Sequence, residues 1–207
     1  MSGGSGEHVA PRLQELIPAA RVRERIEELG AAIARTLRQE QEAAGRTAGD
    51  AASCTAHATA TPPPLAPLFI VIAEGARRFA ATLLDAAARD GLVAETLVVR
   101  ARRTEGQQLV PVTIDGFDEA RCREREVIVL DDIADEGRTL EAVVARVAAA
   151  GAARVRVGVL VSKHARRRVH VALDWVGFDV ADGWIVGYGM DLDGKLRELD
   201  WIGVVEG

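Results

Sequence analysis

The chain has 207 residues, 48% of them hydrophobic, which suits one α/β domain with a substantial core and leaves little room for a second. A formal charge of -5 argues against general nucleic-acid binding, which rests on basic electrostatics, although arginines gather at Arg100, Arg102 and Arg103 and again from Arg166 to Arg168. Cys54 and Cys122 are the only cysteines, which excludes a disulfide framework, and no signal-peptide pattern or membrane-length apolar run occurs, so a cytoplasmic setting away from membranes is expected.

Residues 1–19 read as a flexible tail and lead-in, opening with Met-Ser-Gly-Gly-Ser-Gly. Over 20–43, Val22, Ile26, Leu29, Ile33 and Leu37 recur at three and four, which predicts an amphipathic helix that covers a sheet or a subunit partner. Residues 44–67 are rich in Ala, Thr, Gly and Pro without periodicity and read as a linker or long loop. Order resumes with the apolar run Leu68 to Ile72, the turn Ala73-Glu74-Gly75 and a helix carrying Phe79, Leu83 and Leu84. Thr96 to Arg100 follows as a strand, 101–108 as an exposed basic loop, and Leu109 to Ile114 as a weak strand.

Val127 to Leu130 are four consecutive apolar residues, a strand buried on both faces that is expected to stop at Asp131. The loop Asp131-Asp132-Ile133-Ala134-Asp135-Glu136-Gly137 then enters a helix running from Thr139 to about Ala150, with Gly151 as its stop signal. Val155 to Val161 forms another strand that closes on Ser162-Lys163-His164, and further strands are read over 169–178, 185–193 and 201–205. Strands alternate with helices through the centre, so a mainly parallel twisted sheet flanked by helices is expected.

In such a sheet, ligands sit beyond the carboxyl ends of the strands, where the free N–H groups of the next helix favour an anion. Asp131 and Asp132 are placed to accept hydrogen bonds from ligand hydroxyls or from metal-bound water, and their plainer role is a polar cap on a strand end. Asp135 projects from the loop and has helix N-capping as its alternative role. A nicotinamide-binding domain is disfavoured, since no Gly-x-Gly-x-x-Gly run follows any strand.

The pattern of an apolar run, Asp131-Asp132, Asp135, Gly137 and Thr139 resembles the phosphoribosyl-diphosphate (PRPP) loop of type I phosphoribosyltransferases, and more narrowly their hypoxanthine-guanine branch. Phe69 to Leu84 is similar to the branch's pyrophosphate-loop unit and Val157 to Lys163 to its purine-reading strand. Trp184 to Asp191 is similar to its purine hood, and Arg197 with Trp201 to Val204 to its ending. The resemblance implies a sheet with a small hood drawn from both chain ends, near 163–205. It also implies transfer of the phosphoribosyl group from PRPP to a 6-oxopurine, with Mg²⁺ as cofactor. Asp135 would be the general base, and Asp131, Asp132, Glu136, Gly137, Arg138 and Thr139 would bind the ribose and its 5'-phosphate. Glu74, Gly75 and Arg197 would take the pyrophosphate, Lys163, Trp184 and Ile185 the purine, and Asp191 the metal. A homo-oligomer is expected.

Three positions depart from the pattern. Glu136 replaces a small hydroxyl residue at the 5'-phosphate, Glu74 replaces the lysine of the pyrophosphate loop, and Arg103-Thr104 replaces the Ser-Tyr pair that begins the lid. Arg77 and Arg78 stand close enough in sequence to offset Glu74. The alternative function is a divergent homologue that binds a purine nucleotide without turnover, or that uses a different donor.

Overall fold

The computed structural model describes residues 12–52, 65–102 and 112–206, with side chains in the first segment to residue 43. Two strands form where period-three and period-four spacing gives way to unbroken apolar runs: β2 (Leu68–Ala73) and β5 (Glu126–Ala134). They pair in parallel, and β3 (Glu95–Arg102), β6 (Arg154–Lys163) and β7 (Trp175–Val180) extend the sheet in the same sense. β4 (Thr113–Asp115) closes one edge antiparallel to β3, giving the order β4-β3-β2-β5-β6-β7.

Alternate side chains of these strands enter opposite layers. Phe69, Val71, Ile128 and Leu130 meet α1 (Ala19–Ala52) and α2 (Ala76–Arg89) through Ile26, Ile33, Phe79 and Leu83. Leu68, Ile70, Val127 and Val129 face the other way, toward α4 (Arg138–Ala149) with Leu140, Val143 and Val147, and toward Cys122 at the end of the single turn α3 (Glu119–Cys122). Each of these fully buried side chains contributes roughly 1.5–3 kcal/mol through removal from water. Gly30 is where α1 and α2 approach most closely, since a Cβ there would lie 2.5 Å from the Leu83 carbonyl oxygen.

A second, antiparallel sheet of order β1-β9-β8 stands apart from the first. It joins β1 (Leu13–Ile17), β9 (Ile202–Val205) and β8 (Trp184–Val186), with Leu13 opposite Val205 and Trp184 opposite Val205 on the other side. The loop after β8 is anchored on α2, where the Tyr188 hydroxyl lies 3.0 Å from Thr82 Oγ1 and the Arg78 guanidinium covers the Tyr188 ring.

Several expected boundaries move. Residues 13–17 are a strand of the hood rather than part of a flexible lead-in, because β9 supplies the hydrogen-bonding edge that the isolated segment lacks. α1 runs nine residues beyond Ala43, through the start of the expected linker to Ala52. Alanine is the best helix former, and Gly45 and Gly49 each cost only about 1 kcal/mol in a helix interior. β5 does not stop at Asp131: it continues with Asp131 opposite Val159 and Ala134 opposite Ser162, because β6 offers ladder partners as far as Lys163. Residues 169–174 are not strand, and the weak strand expected over 109–114 is confined to β4. The lid pair Arg103-Thr104 lies outside the described residues. No helix among the described residues is long and apolar enough to cross a membrane.

Candidate active site

A cleft of about 470 Å³ opens where β2, β5 and β6 end beneath β8. Its floor carries Asp131, Asp132 and Asp135, one end is the loop Glu136-Gly137-Arg138-Thr139, and its far wall is Lys163 with Trp184, Ile185 and Asp191 of the hood. Eleven of the fourteen residues assigned from sequence therefore line one hollow; Glu74, Gly75 and Arg197 adjoin it.

The floor is a pair of buried carboxyls. Asp131 Oδ1 accepts from the Asp132 N–H at 3.0 Å, and Asp132 Oδ1 accepts from the Ile133 N–H at 3.0 Å. Burial, reinforced by the Asp132 charge, pushes the Asp131 carboxyl well above the usual range. Burial also raises Asp132, against the hydrogen bonds it receives and the attraction of Arg197. The Asp132 carboxylate lies against Gly75, leaving no room for a Cβ there, which seats the pyrophosphate-loop backbone directly on the floor.

Asp135 is not the helix cap. Gly137 takes that position at φ +88°, with no side-chain capping bond, and a Cβ on it would press on Arg167 and Val169 at 3.1 Å. The Asp135 carboxylate instead turns into the cleft, where Oδ2 accepts from Lys163 Nζ at 3.3 Å. Its Oδ1 is buried and has no hydrogen-bond partner among the described residues, with Arg166 Nε 3.7 Å away. Lys163 is only 3% exposed, and a buried ammonium requires such an anionic neighbour.

Glu136 also faces the cleft, 3.6 Å from Arg138 Nε and 4.0 Å from Arg168 Nε. The segment after Lys163 folds back over this loop: the Arg168 and Val169 N–H groups both donate to the Glu136 carbonyl, and Arg167 reaches the Ala134 carbonyl and Ser162 Oγ. The arginine run was visible in sequence as a basic cluster, but nothing local showed that it belongs to the site. The first turn of α4, beginning at Arg138, points its open N–H groups at the same end of the cleft.

Beside the floor, Glu74 is held by two arginines, Arg77 Nε at 3.0 Å and Arg100 Nε at 3.1 Å, which keep its carboxyl below the usual range. Arg100 was not singled out as its partner from the sequence. Arg78, expected to help Arg77, is directed elsewhere: it donates to the Glu198 and Leu199 carbonyls and pairs with Asp200. Arg197 NH2 lies 2.5 Å from Asp191 Oδ1 and NH1 donates to the Gly189 carbonyl at 2.6 Å, so its fork is engaged within the hood loop. Asp191 Oδ2 accepts from the Gly194 N–H, and Trp184, 55% exposed over the cleft, donates its indole N–H to the Asp191 carbonyl at 3.0 Å.

No group of three or more His, Cys, Asp or Glu residues able to hold a metal ion occurs among the described residues. The donor set, Asp191 above Asp131 and Asp132, suits a hard cation that takes one or two carboxylates and completes its shell with phosphate and water oxygens, the habit of Mg²⁺.

A parallel sheet with an acidic, glycine-containing loop at its carboxyl rim, a helix N-terminus aimed into the cleft and a small sheet as roof defines a protein built for a phosphorylated sugar or nucleotide. The family model of the phosphoribosyl transferase domain matches residues 52–193, more than half of the chain. The chain belongs to that family. It is similar to the hypoxanthine-guanine phosphoribosyltransferase of Mycobacterium avium, 34% identical over 82 residues, which are 40% of this chain and 40% of that protein. The Haemophilus influenzae hypoxanthine phosphoribosyltransferase is 38% identical over 81 residues, 39% of this chain and 45% of the relative. The match thus spans less than half the length of these curated relatives. Across the whole fold, the chain is similar to the Trypanosoma cruzi hypoxanthine phosphoribosyl transferase, with a TM-score of 0.74 at 22% identity over 97% of this chain and 94% of that one.

Proposed function

We propose that the chain is a purine phosphoribosyltransferase of the hypoxanthine-guanine type, which moves the 5-phosphoribosyl group from PRPP to a ring nitrogen of a 6-oxopurine and releases pyrophosphate. The observation that carries this reading is the Asp135 carboxylate: one oxygen is tied to Lys163, and the other is buried in the cleft with no hydrogen-bond donor among the described residues. A purine ring N–H supplies that donor, and the 6-oxo group supplies the acceptor that Lys163 Nζ needs beside it.

In this reading Asp135 takes the proton as the ring nitrogen bonds to C1 of the ribose. Trp184 stacks on the base and Ile185 meets its edge through the main chain. Asp131 and Asp132 hold the ribose hydroxyls, and a carboxyl that keeps its proton donates to one of them while its ionised neighbour accepts. Gly137, Arg138 and Thr139 present N–H groups to the 5'-phosphate, with Glu136 facing it. Gly75 and Arg197 meet the departing pyrophosphate, and Arg77 with Arg100 offsets the charge of Glu74. Asp191 would hold Mg²⁺, which when bound neutralises charge on the leaving oxygens. We also propose a homo-oligomer, on the exposure of Leu65, Val93 and Val98 around the first strands, measurable by light scattering.

Incubation with PRPP, Mg²⁺ and hypoxanthine or guanine is expected to yield the nucleoside monophosphate and pyrophosphate. No product, together with no calorimetric binding of PRPP, overturns the proposal. Glu136 in the phosphate end of the cleft favours a second reading, a purine-nucleotide binder without turnover or with another donor, which predicts nucleotide binding but no product in the same assay.

A further inference from the structure

The base-stacking wall and the pyrophosphate arm are joined by a chain of hydrogen bonds within the hood. Trp184 Nε1 donates to the Asp191 carbonyl at 3.0 Å, the Asp191 carboxylate holds Arg197 NH2 at 2.5 Å, and Arg197 NH1 donates to the Gly189 carbonyl at 2.6 Å. Gly189, at φ +106°, lies so close to the Gly75 carbonyl that a Cβ would collide with it, and Gly75 in turn rests on Asp132. The exposed side chain over the purine end is thus tied to the residues facing the leaving group at the other end. Stacking requires only the face of an aromatic ring; the indole N–H is additional to that task.

We propose that Trp184 is a positioning residue for the pyrophosphate end of the site, acting through the Asp191 carbonyl to hold Asp191 and Arg197 in register with Gly75. This rests on the phosphoribosyltransferase reading of the cleft and adds to it a coupling between its two halves. Without the indole bond, the 191–197 loop keeps only its internal contacts, among them the Leu192–Lys195 bridge and the Gly194 N–H to Asp191, which fold the loop but do not fix it above the floor.

The test uses Trp184→Phe, which retains an aromatic face and loses the N–H, and titrates wild type and variant by calorimetry with inorganic pyrophosphate without added metal and, separately, with inosine 5'-monophosphate. The loss expected for pyrophosphate is about three- to tenfold, the range of one neutral hydrogen bond, and it exceeds the loss for the nucleotide. Equal losses, a loss confined to the nucleotide, or no loss overturns the coupling while leaving the functional reading intact. Wild-type protein that binds neither ligand removes the functional reading and the coupling with it. If Trp184→Phe does not fold, the wild-type chain is sufficient, because its three tryptophans give three indole N–H signals in a ¹⁵N spectrum. With Trp184→Tyr to assign the signal, the Trp184 resonance is expected to move on addition of pyrophosphate alone; a signal that stays fixed overturns the proposal.

Discussion

Glu136→Thr is the most informative single change. The carboxylate lines the phosphate end of the cleft with a side chain 26% exposed, between Arg138 and Arg168. A phosphate seated on the α4 N-terminus at about 5 Å from that carboxylate, at an effective dielectric near 20, meets a repulsion of roughly 3 kcal/mol per unit charge, about a hundredfold in affinity. Removing Glu136 also leaves both arginines to face the ligand. Partial exposure screens the repulsion, so a gain of about ten- to a hundredfold is expected for a purine 5'-monophosphate. Calorimetry against the nucleotide and against the parent nucleoside separates the terms, since the nucleoside has no phosphate and its affinity is expected to stay constant. An unchanged nucleotide affinity, or an equal gain for the nucleoside, refutes the reasoning.

Asp135→Asn keeps the side-chain shape but removes the base, and a fall in kcat of about 10²–10⁴ is expected with pyrophosphate affinity preserved; a fall below tenfold removes Asp135 from the proton-transfer step. Because the folded state holds the Asp131 proton to a higher pH than the unfolded chain, whose carboxyl titrates near 4, stability declines as pH rises from about 4 through the raised folded value. Asp131→Asn lacks that decline, so its Tm is expected to exceed wild type at neutral pH and the advantage to vanish below about pH 4; equal Tm values at pH 7 contradict the burial argument. Gly189→Ala forces a Cβ against the Gly75 carbonyl at a φ suited to glycine, so loss of pyrophosphate binding is expected, and unaltered binding would show that the two loops move freely past each other.

The central sheet and the floor of the site were legible because their signals are local. An unbroken apolar run that meets Asp131-Asp132 and then Gly137 announces strand, loop and helix without knowledge of anything distant. What the sequence hid depends on partners far along the chain. Leu13–Ile17 has a pattern of mostly exposed residues and becomes a strand only against residues 202–205. Arg100 and Arg78 are both arginines near a pyrophosphate loop, but the fold turns one to Glu74 and the other to Asp200. Residue types identified Lys163 and Asp135 as members of the site, but only coordinates could show them bonded to each other. Glu136 and Glu74 looked like bare charge reversals, and the structure surrounds each with arginines.

The strand order of the hood has a bearing on how this protein is made. Ile202–Val205 lies between β1 and β8, so during synthesis the first and third strands of the roof wait for the middle one, which leaves the ribosome last. Pairing residue 13 with residue 205 closes one of the longest loops the chain allows, an entropic step that slows assembly. A nascent chain can therefore complete the acidic floor while Trp184 still sits on an unpaired edge. Ligand binding is then a property that arrives with the final few residues rather than with the domain core.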